Sequence, residues 1–337
     1  MRIGVGSIQD IPRLVGARDG QIVDIQRAAL AYLRRDGATP ERAAQLAAAA
    51  FPPSLTQVLG SGPGVRQWLA RLIDSPAAEA CHDAASVRLR CPVDPPGYRD
   101  FMSFDEHVRN TYQPTGKPPP SVLYDIPAYY KGSTATLIGP QDEVCWPYYA
   151  DAVDYELEYA LVIGAAGLGL RPGDALTHVF GVTLLNDFSA RDMQLTEMRS
   201  RLGPAKGKDF ATALGPWVAS LDEIDVHDLA MTAQVNGTPV AAGRSGDALW
   251  APEELVAWAS AAEPLRPGEI IGSGTVGGGS GLESGRKLGT GDVIELSIDG
   301  VGILRNQLGP RGAAGYRPEP KRPGPTAGAA ARPGTEA

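Results

Sequence analysis

The sequence predicts a β-rich mixed α/β protein, its main body a closed or rolled sheet and its first 88 residues a small α+β unit. Three observations carry that expectation. From residue 89 onward, short apolar runs alternate with Gly/Pro-rich turns, as in "VFGVTLLND", "GPWVASLDEI", "MTAQVNGTPVAAG", "GEIIGSGTV" and "DVIELSIDGVGILRN". Helical spacing beyond residue 100 is clear only in "SARDMQLTEMRS" and "APEELVAWASAA". Before residue 88, strong helix formers dominate instead.

In chain order, "RIGVG" and "PRLVGARDGQIVDI" read as strands turned at Asp19-Gly20. "IQRAALAYLRR" and "PERAAQLAAAA" follow with helical spacing, interrupted by "DGATP", and "GVRQWLARLI" suggests a third helix. The strand-rich body is assigned to residues 89–310, with hairpins at Asn236-Gly237 and Asp299-Gly300. Residues 311–337, rich in Pro, Gly and Ala, are expected to be a disordered tail.

Composition narrows the function. The chain has 337 residues, enough to bury a substantial core, with an ordinary 43% hydrophobic and 21% charged fraction. A net charge of −8 argues against nucleic acid as the partner. No apolar run has the length of a membrane span, and "MRIGVGSIQD" lacks the apolar core of a signal peptide. Three cysteines without motif spacing fit free thiols, and a cytoplasmic location is expected.

One stretch stands out chemically. In "DAVDYELEYALVIG", Glu156 and Glu158 are two apart on a strand and so share a face. Such pairs are commonly half-exposed decoration. If the strand is buried, however, two carboxylates repel and lose hydration, at several kcal/mol each unless a shared proton or a divalent cation compensates. Carboxylate oxygens suit Mg²⁺ or Ca²⁺, with Mn²⁺ also acceptable, and the absence of a Cys/His cluster speaks against zinc. Asp187 ends an apolar strand, and "GYRDFMSFDEHVRN" offers Asp100 and, seven residues later, His107. Lys208 lies in a Gly-flanked segment before an apolar run. Taken singly, Asp187 reads as a turn residue, His107 as structural and Lys208 as a loop charge.

"DFMSFDEHVRN", "YYKG", "DYELEYALVIG", "NDFSARDMQ", "KGKDFATALGPW", "GSGTVGGGSG" and "GDVIELSIDGVGILRN" together resemble the fumarylacetoacetate hydrolase family. They occur in that family's order over roughly residues 90 to 308. The resemblance implies a mixed β-sandwich roll, a homodimer, a small keto-acid substrate and a metal site, Mg²⁺ first, with no organic cofactor. It implies metal ligation by Asp100, Glu156, Glu158 and Asp187, with Thr212 supporting the ion. It further implies His107 as general base oriented by Glu295, and Lys208 and Gln194 on substrate oxygens with Arg191, Tyr130 and Thr275 nearby.

The implied reaction is hydrolysis of a C–C bond in a β-diketo acid or acylpyruvate. Met102 and Met198 replace substrate-contacting tyrosines of the fumarylacetoacetate-cleaving enzymes, which points to a less charged leaving fragment. Decarboxylation, keto–enol isomerisation and hydration are the alternatives on such a scaffold. They commonly depend on a Glu three residues after the histidine, where Asn110 stands. "GSGTVG" formally matches G-x-G-x-x-G, yet more glycine follows instead of a helix, so a dinucleotide site is not expected.

Overall fold

The computed structural model describes residues 1–321, and the stretch of the expected tail beyond residue 321 lies outside the described residues. Two sheets form the body. The larger has twelve strands, with Val179–Asp187 at its middle between the antiparallel strands Leu157–Ile163 and Thr212–Ser220. Beyond Leu157–Ile163 lie Ile270–Gly272, then Tyr98–Phe101 and Tyr129–Lys131. The smaller sheet has five strands in the order Thr238–Arg244, Ala230–Val235, Val293–Ile298, Gly302–Arg311 and Glu143–Trp146. The mixed, sheet-rich body is that of the expected class.

The turns fall where the sequence placed them. Asn236-Gly237, Asp299-Gly300 and Asp19-Gly20 each join two antiparallel strands, and at Asn236-Gly237 both residues have positive φ (51° and 74°), as a tight two-residue turn requires. The helices Ile25–Arg35 and Pro40–Ala50 begin on Asp24 and Thr39, whose side chains accept from the backbone N–H three residues on.

The N-terminal segment joins the body directly. Strand Arg2–Ile8 pairs antiparallel with Thr212–Ser220, so the large sheet runs across the boundary expected near residue 88. Strand Leu157–Ile163 is buried on both faces for this reason. Leu157, Tyr159, Leu161 and Ile163 enter the core shared with the small sheet, where Met231, Val235, Ile294 and Leu296 meet them. Ala160 and Val162 face the other way, into the core made with Ile25, Ala28, Leu69 and Leu72 of the N-terminal helices. Each fully buried Leu or Ile there contributes about 1.5–3 kcal/mol. Glu158 belongs to the same row as Ala160 and Val162 by strand alternation, which sets a carboxylate at the end of an apolar row.

Candidate active site

Asp100, Glu158 and Asp187 come from three strands of the large sheet and converge so that one oxygen of each lies within 4.8 Å of the others. All three are buried, at 3%, 1% and 0% exposure. Between the strands of Glu158 and Asp100 runs Ile270–Gly272, and its Gly272 pairs with Asp100. A Cβ at Gly272 would stand 2.4 Å from Asp100 Oδ1, so the missing side chain keeps the space between the acids open.

Hydrogen bonds reach both oxygens of Glu158 but only one oxygen each of Asp100 and Asp187. Tyr98 donates to Asp100 Oδ2 at 2.9 Å, and Tyr130 donates to Asp187 Oδ2 at 2.7 Å. Gly274 N–H and the Thr275 hydroxyl donate to the two oxygens of Glu158, at 3.1 and 3.0 Å. Asp100 Oδ1 and Asp187 Oδ1 are buried with no partner in the protein. Burial, then the neighbouring Asp100, Glu156 and Asp187 charges, pushes Glu158 well above the usual carboxylate range. Burial also raises Asp187 and Asp100, against the pull of Lys208. Orphaned hard oxygens, mutual repulsion and an open cradle together fit a divalent cation of the Mg²⁺, Mn²⁺ or Ca²⁺ kind.

Glu156 departs from this set. Its oxygens meet Arg191 Nη1 at 2.8 Å and Lys208 Nζ at 2.5 Å, and Lys208 bridges it to Asp187 of the trio. Burial would raise its pKa, but the charges of Lys208, Arg191 and His107 outweigh that and hold it well below the usual range. Glu156, expected to share one cation with Glu158, is paired here with two protein cations, while Glu158 joins the trio. Lys208 also donates to Asp187; burial works against its ammonium, yet Asp187 and Glu156 keep it charged. The backbone before it is held by Glu197, which accepts from the N–H groups of Ala205, Lys206 and Gly207, each at 2.9 Å.

His107 lies on helix Asp105–Tyr112, directly after the strand of Asp100, and is 6% exposed. Its Nδ1 is 2.9 Å from Glu283 Oε2. Glu283 also accepts from Asn110 Nδ2, from the N–H groups of Gly278 and Ser280, and from the Ser280 hydroxyl. Burial would raise the Glu283 carboxyl, but these donors, His107 first, lower it. An ionised carboxylate only accepts, so Nδ1 carries a proton, and whenever the ring is neutral Nε2 is the nitrogen with the lone pair.

Glu295 does not reach His107. It sits on the small sheet, half-buried, 3.3 Å from Arg305. Strand alternation explains the difference, since Ile294, Leu296 and Ile298 take the inner face of that strand and leave Glu295 outward. The missed residue, Glu283, lies in "GGGSGLESGR", a stretch that reads as featureless glycine loop. The signal available was Ser280-x-x-Glu283, a capping-box spacing at the start of the short helix Gly281–Ser284.

The remaining expected residues cluster around the acids. Arg191 donates Nε and Nη2 to Asp154 Oδ2 at 2.9 and 2.7 Å and Nη1 to Gln194 Oε1 at 3.1 Å. Tyr130 and Thr275, expected on substrate, are bonded to Asp187 and Glu158 as described. Thr212 is buried directly opposite Asp187 across the strand pair. Met102 and Met198 are exposed. The stretch 272–277 leaves its strand into a loop, without the helix a dinucleotide fingerprint requires.

The family model for the C-terminal part of fumarylacetoacetate (FAA) hydrolase matches residues 97–309, which contain every acid of the trio together with His107 and Glu283. The chain belongs to the fumarylacetoacetate hydrolase family. Among family relatives, human "Oxaloacetate tautomerase FAHD2A, mitochondrial" is 31% identical over 212 residues, 61% of this chain and 64% of the relative. An uncharacterized protein of Pyrococcus abyssi is 31% identical over 209 residues, 61% of this chain and 86% of that protein. The match thus spans less than two thirds of the human relative's length.

Solved structures extend the likeness to nearly the whole fold. Fumarylacetoacetate hydrolase from Exiguobacterium antarcticum superposes with a TM-score of 0.70 at 23% identity, covering 92% of this chain and 100% of that one. Maleylpyruvate hydrolase from Sphingobium superposes at 0.67 and 22% identity, over 92% and 99%. The names carried by these similar proteins are those of hydrolases, isomerases and tautomerases. Among the described residues, no helix is long and apolar enough to cross a membrane.

Proposed function

We propose that the chain is a divalent-cation-dependent hydrolase that cleaves the C–C bond of an acylpyruvate or related β-diketo acid. The observation that carries this reading is the pairing of two devices in one buried site: a trio of acids in which Asp100 and Asp187 each keep an unfilled oxygen, and a histidine whose Nδ1 proton is committed to Glu283. Asp100, Glu158 and Asp187 would hold the ion, Mg²⁺ in the first instance. When bound, it supplies Lewis acidity and a template for the oxygens of a chelating oxo acid.

The chain's own groups do the rest. His107 Nε2 takes a proton from water, and the resulting hydroxide attacks the acyl carbonyl. Glu283 stabilises the imidazolium and keeps the ring from turning, the role an aspartate has in a serine triad. Lys208 and Gln194 are the candidate donors to the developing oxyanion, with Arg191 holding Gln194 in place. The C–C bond then breaks, its electron pair leaving with the pyruvate fragment as an enolate, which is reprotonated from His107. A cytoplasmic homodimer is the accompanying proposal, open to light scattering and cell fractionation.

The deciding experiment follows loss of the conjugated diketo absorbance over a panel of acylpyruvates, with and without Mg²⁺. Mg²⁺-dependent turnover of at least one member is expected; a panel left intact at saturating Mg²⁺ rules the hydrolase reading out.

One observation favours a second reading. The human relative at 31% identity carries the name oxaloacetate tautomerase. A base at His107 Nε2 can equally shuttle a proton between carbon and an enol oxygen of a bound oxo acid. Enol decay of oxaloacetate, followed in the same spectrophotometer, separates the two.

A further inference from the structure

Asp154 lies two residues before Glu156 and touches none of the trio, yet it accepts five hydrogen bonds while 4% exposed. Its Oδ1 accepts from Tyr155 N–H and Gly281 N–H, each at 2.9 Å. Its Oδ2 accepts from Leu282 N–H at 2.9 Å and from Arg191 Nε and Nη2 at 2.9 and 2.7 Å. The two loop amides immediately precede Glu283. Arg191, on the other side, reaches Glu156 and Gln194. A Cβ at Gly281 would lie 2.4 Å from Asp154 Oδ1, so the loop backbone approaches the carboxylate as closely as only glycine permits.

We propose that Asp154 is a positioning residue that sets the His107 tautomer from a distance, by clamping the Gly281–Leu282 amides so that Glu283 meets Nδ1, while its grip on Arg191 ties the same loop to the helix Arg191–Met198. This rests on the reading of His107 as the proton-handling group. No side chain other than Asp154 contacts both Arg191 and the loop amides of Gly281 and Leu282 among the described hydrogen bonds. Loss of its charge releases both arms together. The loop then drifts, Glu283 leaves Nδ1, and the proton is free to redistribute to Nε2, which can no longer act as base in that form.

The test is ¹⁵N NMR of ring-labelled histidine, which reads the tautomer without any substrate. With four histidines in the chain, His107 is assigned by its absence in His107→Gln. In the wild type above the histidine titration range, His107 is expected as the Nδ1–H form. In Asp154→Asn, and independently in Gly281→Ala, a substantial shift toward the Nε2–H form is expected. Val58→Ala, in the helical core remote from this loop, provides a control of lowered melting temperature and should leave His107 unchanged.

An unshifted His107 in whichever of the two loop variants melts cooperatively overturns the inference, as does an equal shift in Val58→Ala. A wild type without the Nδ1–H form removes the His107 base reading itself, and this inference with it. A shift confined to the loop variants supports Asp154 even if no acylpyruvate is ever turned over.

Discussion

Glu283 accepts the Nδ1 proton of His107 across 176 residues of sequence, at 2.9 Å. The contact is buried on both sides, with side-chain exposures of 8% and 3%. It therefore fixes ring orientation more firmly than a surface pair would, where solvent competes for every donor.

The first prediction separates the two glutamates. Glu283→Gln should lower kcat on a turned-over oxo acid by roughly 10²- to 10⁴-fold, because it removes the charge that selects the tautomer and steadies the imidazolium. Glu295→Gln should stay within about twofold, since it breaks only a half-exposed pair with Arg305. Steady-state kinetics on both variants decides; equal effects would contradict the assignment.

Cation binding can be read without turnover. Asp100, Glu158 and Asp187 all have carboxyls raised first by burial, with neighbouring carboxylates adding to it. A group with a raised folded-state pKa binds more protons folded than unfolded, so its contribution to stability falls as pH rises above the usual carboxylate range. In chelator, the wild type should therefore lose ground to Asp100→Asn from about pH 5 to about pH 8, ending a few degrees lower in Tm. Saturating Mg²⁺ should reverse the order, by raising the wild type and not the variant. Calorimetry at two pH values with and without Mg²⁺ checks both signs.

Lys208 carries a structural load in the absence of the ion. Removing its ammonium in Lys208→Met leaves Glu156 and Asp187 facing each other in a dry site. A loss of about 3–5 kcal/mol in urea unfolding is expected, the usual cost of an orphaned buried charge. An effect below about 1 kcal/mol would mean that water reaches these acids freely.

The thiols should differ sharply. Burial, with Asp142 and Asp94 adding to it against a hydrogen bond to Val93 O, pushes the Cys91 thiol up to about 12. Its thiolate fraction at pH 8 is then about 10⁻⁴. Cys145 is exposed. Timed iodoacetamide labelling with peptide mapping should find Cys145 modified well before Cys91.

Much of the architecture was legible because local signals and tertiary roles coincide. "IQRAALAYLRR" and "PERAAQLAAAA" carry helix formers and caps, and they are the helices Ile25–Arg35 and Pro40–Ala50. The hairpins were legible because Asn-Gly and Asp-Gly tolerate positive φ. Strand Arg2–Ile8 shows the limit, since nothing local says that it will pair with Thr212–Ser220, more than 200 residues away.

The site divides the same way. Glu158 and Asp187 were visible as acids in strands and Asp100 as an acid seven residues before His107, and the family resemblance supplied their convergence. Glu156 and Glu158 share a face, but which cation each meets depends on Lys208 and Arg191, which arrive from a distant loop and helix. Glu295 was named only through the family resemblance, while Glu283 sits in a stretch whose glycines erase any periodicity.

The bare position at Gly272 separates two properties that acid-to-amide changes always mix. An alanine there subtracts no charge and no oxygen; it puts one methyl group against Asp100 Oδ1. The resulting protein would keep its full complement of acids with the space beside Asp100 Oδ1 filled. It is thus the natural reference state against which to weigh how much of the wild type's behaviour belongs to the dication and how much to the anions alone.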